Sequence, residues 1–187
     1  MENLRIALKL TLICFIAVLL LSIVNLITCK KIENNSNKVE EETNRNLFSQ
    51  GVRFEKFFFK NSSIDKNKEY YYKVYDKNNT LVGYVVTLYT KGYGGDMKLM
   101  VAMDNSLVIV NAKLLTNSET PGLGKAAEKP EYMKKFIGTN TKEKPIPLNK
   151  SMLSQEDADS ITGATITFKG IANGIQKAVD YILQEIK

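Results

Sequence analysis

The chain has no histidine and no tryptophan in its 187 residues, and only two cysteines. Without histidine, Ser–His and Cys–His nucleophilic catalysis is excluded, and most zinc sites with it. Cys14 and Cys29 both lie in or at the edge of an apolar N-terminal stretch. Neither can staple the rest of the chain, which is cysteine-free and therefore silent about its redox compartment. A run of five or more lysines is also missing. The formal net charge is +6, from 26 basic and 20 acidic residues, but the lysines are dispersed. A nucleic-acid partner is therefore not expected. No internal repeat or low-complexity tract is present. The length suits one soluble domain plus an accessory segment.

The longest feature that is present is apolar. Leu10 to Cys29 reads LTLICFIAVLLLSIVNLITC and carries no charge. As a helix it spans roughly 30 Å, the thickness of a bilayer core. No polar stripe of helical period interrupts it, which argues against a buried core helix. Three fates fit such a stretch: a retained anchor, a secretory signal and a lipoprotein signal. NLITCKK is a poor cleavage site for a secretory signal, and Thr28 only loosely meets the lipoprotein need for a small residue before Cys29. A retained anchor is the reading adopted. Arg5 and Lys9 flank it on one side, with Lys30, Lys31 and Lys38 on the other. That balance does not decide orientation, and it leans slightly against export.

The sequence thus divides into an anchor at 1–29 (helix about 8–29), a linker and helix at 30–60, and a domain at 61–187. Residues 30–46 are polar and suggest a linker that turns helical towards NLFSQGVRFEKFFF. Tyr- and Val-rich segments separated by DKNN and MDNS predict strands near 69–75, 81–90, 97–103 and 107–115 in a meander. Lys91–Gly95, KGYGG, is a bend or bulge between two of them. A short helix is expected within Lys125–Ile137, and Pro145 and Pro147 bar regular helix from the next loop. Ile171, Ile175, Ala178, Val179, Ile182 and Ile186 fall at helical spacing and predict an amphipathic helix packed on the sheet. The fold class is α+β: one transmembrane helix, then an antiparallel sheet with flanking helices.

Ser160–Gly170, SITGATITFKG, leads into that last helix. Two readings fit it. Thr165 or Thr167 caps the helix, or the helix start binds an anion through free N–H groups and the positive end of the dipole. In the second reading Gly163 and Ala164 let a phosphate approach and Lys169 adds charge. The G-x-G-x-x-G dinucleotide spacing is absent.

Asp159-Ser160-Ile161-Thr162-Gly163-Ala164-Thr165 resembles the D-x-x-[ST]-G-A-T signature of FMN-binding domains that carry covalent flavin. The resemblance implies FMN in phosphoester linkage to Thr165, with Thr162, Gly163 and Ala164 around the phosphate. It implies that Asp159 is read by a flavin transferase, which takes FMN from FAD with magnesium. Asn117–Gly124, NSETPGLG, is similar to the H-x-E-T-P-G-L-G loop of the same family. That implies Glu119, Thr120, Gly122, Leu123 and Gly124 along the ring or ribityl chain, with Asn117 where many members have histidine. Gly92–Gly95 resembles the family's G-Y-x-G segment.

Val24, Asn25, Thr28 and Ile32 follow a V-N-x-x-T-x-x-x-I pattern, similar to the membrane helix of the G subunit in Rnf-type electron-transport complexes. This resemblance covers nearly the whole chain. It implies a single-pass protein of the cytoplasmic membrane whose C-terminal domain is extracytoplasmic. It implies the other Rnf subunits, a flavin transferase and membrane lipid as partners. The complex would pass electrons between ferredoxin and NAD and couple this to Na⁺ or H⁺ movement. The chain itself would be an electron carrier, with no catalytic residue and no metal of its own. A membrane-anchored flavoprotein of another reductase system and a flavin-free anchored binding domain are the alternatives.

Overall fold

The computed structural model of the protein describes residues 2–59 and 69–186. Helix α1 runs from Glu2 to Leu47. Its segment Arg5–Cys29, 25 residues, is long and apolar enough to cross a membrane. The large apolar side chains from Ile6 to Ile27 are exposed, as on a helix whose solvent is lipid. Residues 30–46 were expected to be a polar linker that turns helical only towards NLFSQGVRFEKFFF, but they continue α1, which ends at Leu47. No proline or glycine precedes Gly51, and the Glu and Lys residues of this stretch are good helix formers. Contacts divide the chain into two units, Met1–Glu42 and Thr43–Lys187.

The second unit is built on five strands: β1 (Arg53–Phe58), β2 (Tyr70–Tyr75), β3 (Leu81–Lys91), β4 (Asp96–Asp104) and β5 (Ile109–Thr116). They form one antiparallel meander in the order β1-β2-β3-β4-β5. The turns after β2 and β4 follow from acceptor side chains. The Asp76 carboxylate accepts from the N–H groups of Asn78 and Thr80, both at 2.8 Å. Asp104 does the same for Ser106 and Val108, at 2.8 and 3.0 Å. Such Asx turns set where one strand ends and the next begins.

Strand β1 departs from the sequence reading, which placed these residues at the end of a helix. Arg53 lies opposite Tyr75 and Phe58 opposite Tyr70. Phe57 stacks on Tyr71 at 5.6 Å, and the Lys56 ammonium sits 3.5 Å from the centre of the Tyr70 ring. Cross-strand aromatic pairs of this kind stabilise a ladder that a local reading does not reveal.

The amphipathic helix α4 (Thr165–Ile186) covers one face of the sheet. Phe168, Ile171, Ala172, Ile175, Ala178, Val179 and Ile182 share a core with Val86, Leu88, Leu99 and Val101. Ile186, assigned to the same stripe from the sequence, is 54% exposed, because the stripe runs past the core at the last turn. On the opposite face Val85, Met100 and Ala102 pack with Leu47 and Phe48. With both faces covered, β3 is buried without interruption from Gly83 to Leu88, the pattern of a strand buried on both sides. Burying one large aliphatic or aromatic side chain contributes about 1.5–3 kcal/mol. The Thr90 hydroxyl donates to the Gly170 carbonyl at 2.6 Å and ties the first turns of α4 to the end of β3.

Between β5 and α4 the chain is mostly turn. The helix expected within Lys125–Ile137 is broken into a 3-10 turn (Gly124–Glu128), α2 (Pro130–Met133) and a second 3-10 turn (Lys134–Phe136). A further 3-10 turn (Lys150–Met152) precedes α3 (Gln155–Ser160), whose start is capped by the Ser154 hydroxyl.

Candidate functional site

Three segments meet at the start of α4. They are the turn Gly92–Gly95 between β3 and β4, the loop Asn117–Gly124 after β5, and the turn Ile161–Ala164 between α3 and α4. Around them lies a cavity of about 550 Å³, lined by Tyr93, Glu119, Thr120, Leu123, Gly124 and residues 163–167. Each segment is held locally. Gly92 N–H donates to the Gly95 carbonyl at 2.8 Å. The Asn117 side-chain oxygen accepts from Glu119 N–H at 3.1 Å, and its amide donates to Glu128 at 2.8 Å. Asn117 therefore folds its own loop. The buried side chain of Ile161 anchors the third turn, and Ala164 N–H closes it onto the Ile161 carbonyl at 2.9 Å.

The carbonyl of Ala164 accepts from Phe168 N–H at 3.0 Å, so α4 begins at Thr165. The capping reading for Thr165 or Thr167 does not hold, since both residues are inside the helix. The first-turn amides of Thr165, Ile166 and Thr167 lack an acceptor within the helix and carry the positive end of its dipole. Gly163 has φ +83, a conformation that favours glycine. A Cβ there would stand 3.0 Å from Leu123, so the turn and the loop are packed against each other.

Of the residues singled out from sequence, Glu119, Thr120, Leu123, Gly124, Gly163, Ala164 and Thr165 come together at the cavity. Thr165 is half-buried. Thr162 and Gly122 do not line it. The Thr162 hydroxyl accepts from the Lys150 ammonium at 2.9 Å, and Gly122 lines a separate hollow with Pro121 and Lys125. Asp159 is exposed at the end of α3, where it accepts from the Gln155 amide at 3.1 and 3.2 Å.

Tyr93, Ile166 and Thr167 also line the cavity, although sequence reasoning did not place them there. The G-Y-x-G resemblance was the available signal for Tyr93. Tyr93, Ile166 and Leu123 are 72%, 55% and 47% exposed and make an apolar rim. Thr167 is buried and donates its hydroxyl to Glu119 at 2.5 Å. Nearby, the Tyr132 hydroxyl is buried without a protein partner among the described residues. Burial first, and then the Glu119 charge, push it far above the usual phenol range.

The arrangement suits a phosphorylated flat ring. The volume is that of a small-molecule pocket. A helix start supplies amides for an anion, a hydroxyl stands beside them, and the rim is apolar. Among the described residues no group of acidic or cysteine side chains could hold a metal ion.

Residues 92–180 match the FMN-binding domain family, and the cavity lies within the matched segment. The similarity extends further along the chain. The protein is 28% identical to the G subunit of the proton-translocating ferredoxin:NAD(+) oxidoreductase complex of Clostridium ljungdahlii, covering 93% of this chain and 88% of that protein. It is 27% identical to the G subunit of the Na(+)-translocating ferredoxin:NAD(+) oxidoreductase complex of Acetobacterium woodii, covering 94% and 91%. It is 28% identical to the G subunit of the ion-translocating oxidoreductase complex of Methanosarcina acetivorans, covering 76% and 74%. The chain is a homologue of these G subunits along most of its length.

Proposed function

We propose that this protein is an electron-carrier subunit of a membrane complex that moves electrons between ferredoxin and NAD and couples them to Na⁺ or H⁺ translocation. Its FMN is held by a phosphoester to Thr165. The observation that carries this reading is the position of Thr165 at the start of α4, lining a cavity within the segment that matches the FMN-binding domain family.

The residues divide the work. Gly163, Ala164 and the first-turn amides hold the phosphate, and the helix dipole stabilises its charge. Thr120, Leu123, Tyr93 and Ile166 flank the ring, and their exposure leaves one side open to an electron partner. Thr162 and Gly122 shape the two turns from outside the cavity. Bound FMN supplies reversible electron storage, while the protein sets its position and potential. A threonine hydroxyl is a weak nucleophile and this chain has no histidine to activate it, so attachment falls to a flavin transferase. Asp159 is exposed beside the attachment turn and is open to that enzyme.

The Arg5–Cys29 helix anchors the protein in the lipid of the cytoplasmic membrane, and the Thr43–Lys187 unit is extracytoplasmic. A covalent tether suits that location, since no free FMN pool outside the cell would refill the site. Protease added to intact spheroplasts is expected to remove the C-terminal unit, and protease added to inverted vesicles to spare it. The reverse pattern refutes the orientation.

The carrier role is tested in the assembled complex. The flavin absorbance of this protein should bleach on addition of reduced ferredoxin and recover with NAD⁺. Purification without any other membrane protein, or a flavin that stays oxidised while the complex turns over, argues against it.

A further inference from the structure

We propose that Glu119 is the positioning residue of the flavin pocket: its buried carboxylate ties the Gly92–Gly95 turn and the first turn of α4 to its own loop, and so fixes the orientation of the tethered ring. The inference rests on the flavin reading above.

The geometry is specific. Glu119 is 4% exposed. One carboxylate oxygen accepts from Gly94 N–H at 3.0 Å, and the other accepts from the Thr167 hydroxyl at 2.5 Å. Gly94 and Thr167 stand 25 and 48 residues away in sequence. The residue next to each bonded group reaches the cavity: Tyr93 beside Gly94, and Ile166 beside Thr167. The third wall, made by Thr120, Leu123 and Gly124, belongs to the loop of Glu119 itself.

The carboxylate also explains two glycines. A Cβ on Gly92 would collide with one oxygen, and a Cβ on Gly124 with the other. A side chain at either position would have to displace the carboxylate, so the two glycines make room for it from both sides. A buried carboxylate with both oxygens engaged by fixed donors is a strong local constraint. The tether at Thr165 fixes only the phosphate end of the flavin. The ring is held by the walls, and the walls are held by Glu119.

Three variants of the full chain, coexpressed with a flavin transferase and purified in detergent, test this. Glu119→Ala removes the link and Thr167→Val removes half of it. Glu119→Gln keeps it, because the amide oxygen can accept from Gly94 N–H while the amide N–H₂ donates to the Thr167 hydroxyl. All three should still show covalent flavin after denaturation. In the native state, flavin fluorescence anisotropy should fall in Glu119→Ala and, by less, in Thr167→Val. It should stay at the wild-type value in Glu119→Gln. The midpoint potential of Glu119→Gln should shift upward, because a negative charge beside the ring has been removed. A general loss of stability would lower the melting temperature without this split.

Wild-type anisotropy in a flavin-loaded Glu119→Ala overturns the proposal. If that variant fails to fold, Thr167→Val decides on the same criterion. A folded Glu119→Ala with no covalent flavin also overturns it, by moving the residue's role to attachment. A wild type without covalent flavin removes the reading beneath it, an outcome distinct from the others.

Discussion

Thr165→Val is expected to fold like the wild type and to carry no covalent flavin. Threonine and valine are both β-branched and nearly the same size, and position 165 is the half-buried first residue of α4. The helix start therefore keeps its shape, and the stability change should stay within about 1 kcal/mol. What disappears is the hydroxyl proposed to form the phosphoester. Neighbouring hydroxyls are poorly placed to replace it. That of Thr162 lies outside the cavity against Lys150, and that of Thr167 is buried on Glu119. Ultraviolet fluorescence of the denatured band should drop to background in Thr165→Val and remain in Thr167→Val. A bright Thr165→Val band would place the attachment elsewhere.

Phe168→Ala should destabilise the C-terminal unit severely. Phe168 is fully buried, and its ring stacks on Phe136 at 5.4 Å. It lies one residue after Thr167, so it anchors the start of α4 to the turns beneath the cavity. Truncating a buried phenylalanine costs about 3–5 kcal/mol, through lost transfer energy and the cavity left behind. Domains of this size are stable by about 5–15 kcal/mol, so this is a large share. Ile186→Ala, at an exposed position on the same helix, should change stability by no more than about 0.5 kcal/mol. Thermal or urea unfolding followed by near-ultraviolet circular dichroism separates the two. Equal effects would mean that the packing described for α4 is wrong.

The meander and the last helix were legible from sequence because their signals are local. Tyr and Val are abundant in β2 and β3, Asp76 and Asp104 mark the turns, and the α4 stripe repeats with helical period. Strand β1 was not legible. RFEKFF mixes three charges with three aromatics, and its strand character comes from the antiparallel partner strand Tyr70–Tyr75. The continuation of α1 to Leu47 was hidden by polarity: a charged surface on a helix has the composition of a linker.

At the site the outcome was similar. The threonine turn and the ETPGLG loop were visible as motifs, but the division of labour within them was not. Glu119 sits in the same motif as Thr120 and Leu123. Its engagement with Gly94 and Thr167 depends on segments far apart in sequence. Tyr93 and Ile166 look like ordinary turn and helix residues until the fold brings both to one rim.

The most direct measurement is peptide mass spectrometry of the protein taken from membranes of cells with an active flavin transferase. The peptide containing Thr165 should carry the added mass of one esterified FMN, localised to that residue by fragmentation. An unmodified Thr165, in cells that load a control flavoprotein, would contradict covalent flavin at this site and leave the cavity without its proposed ligand.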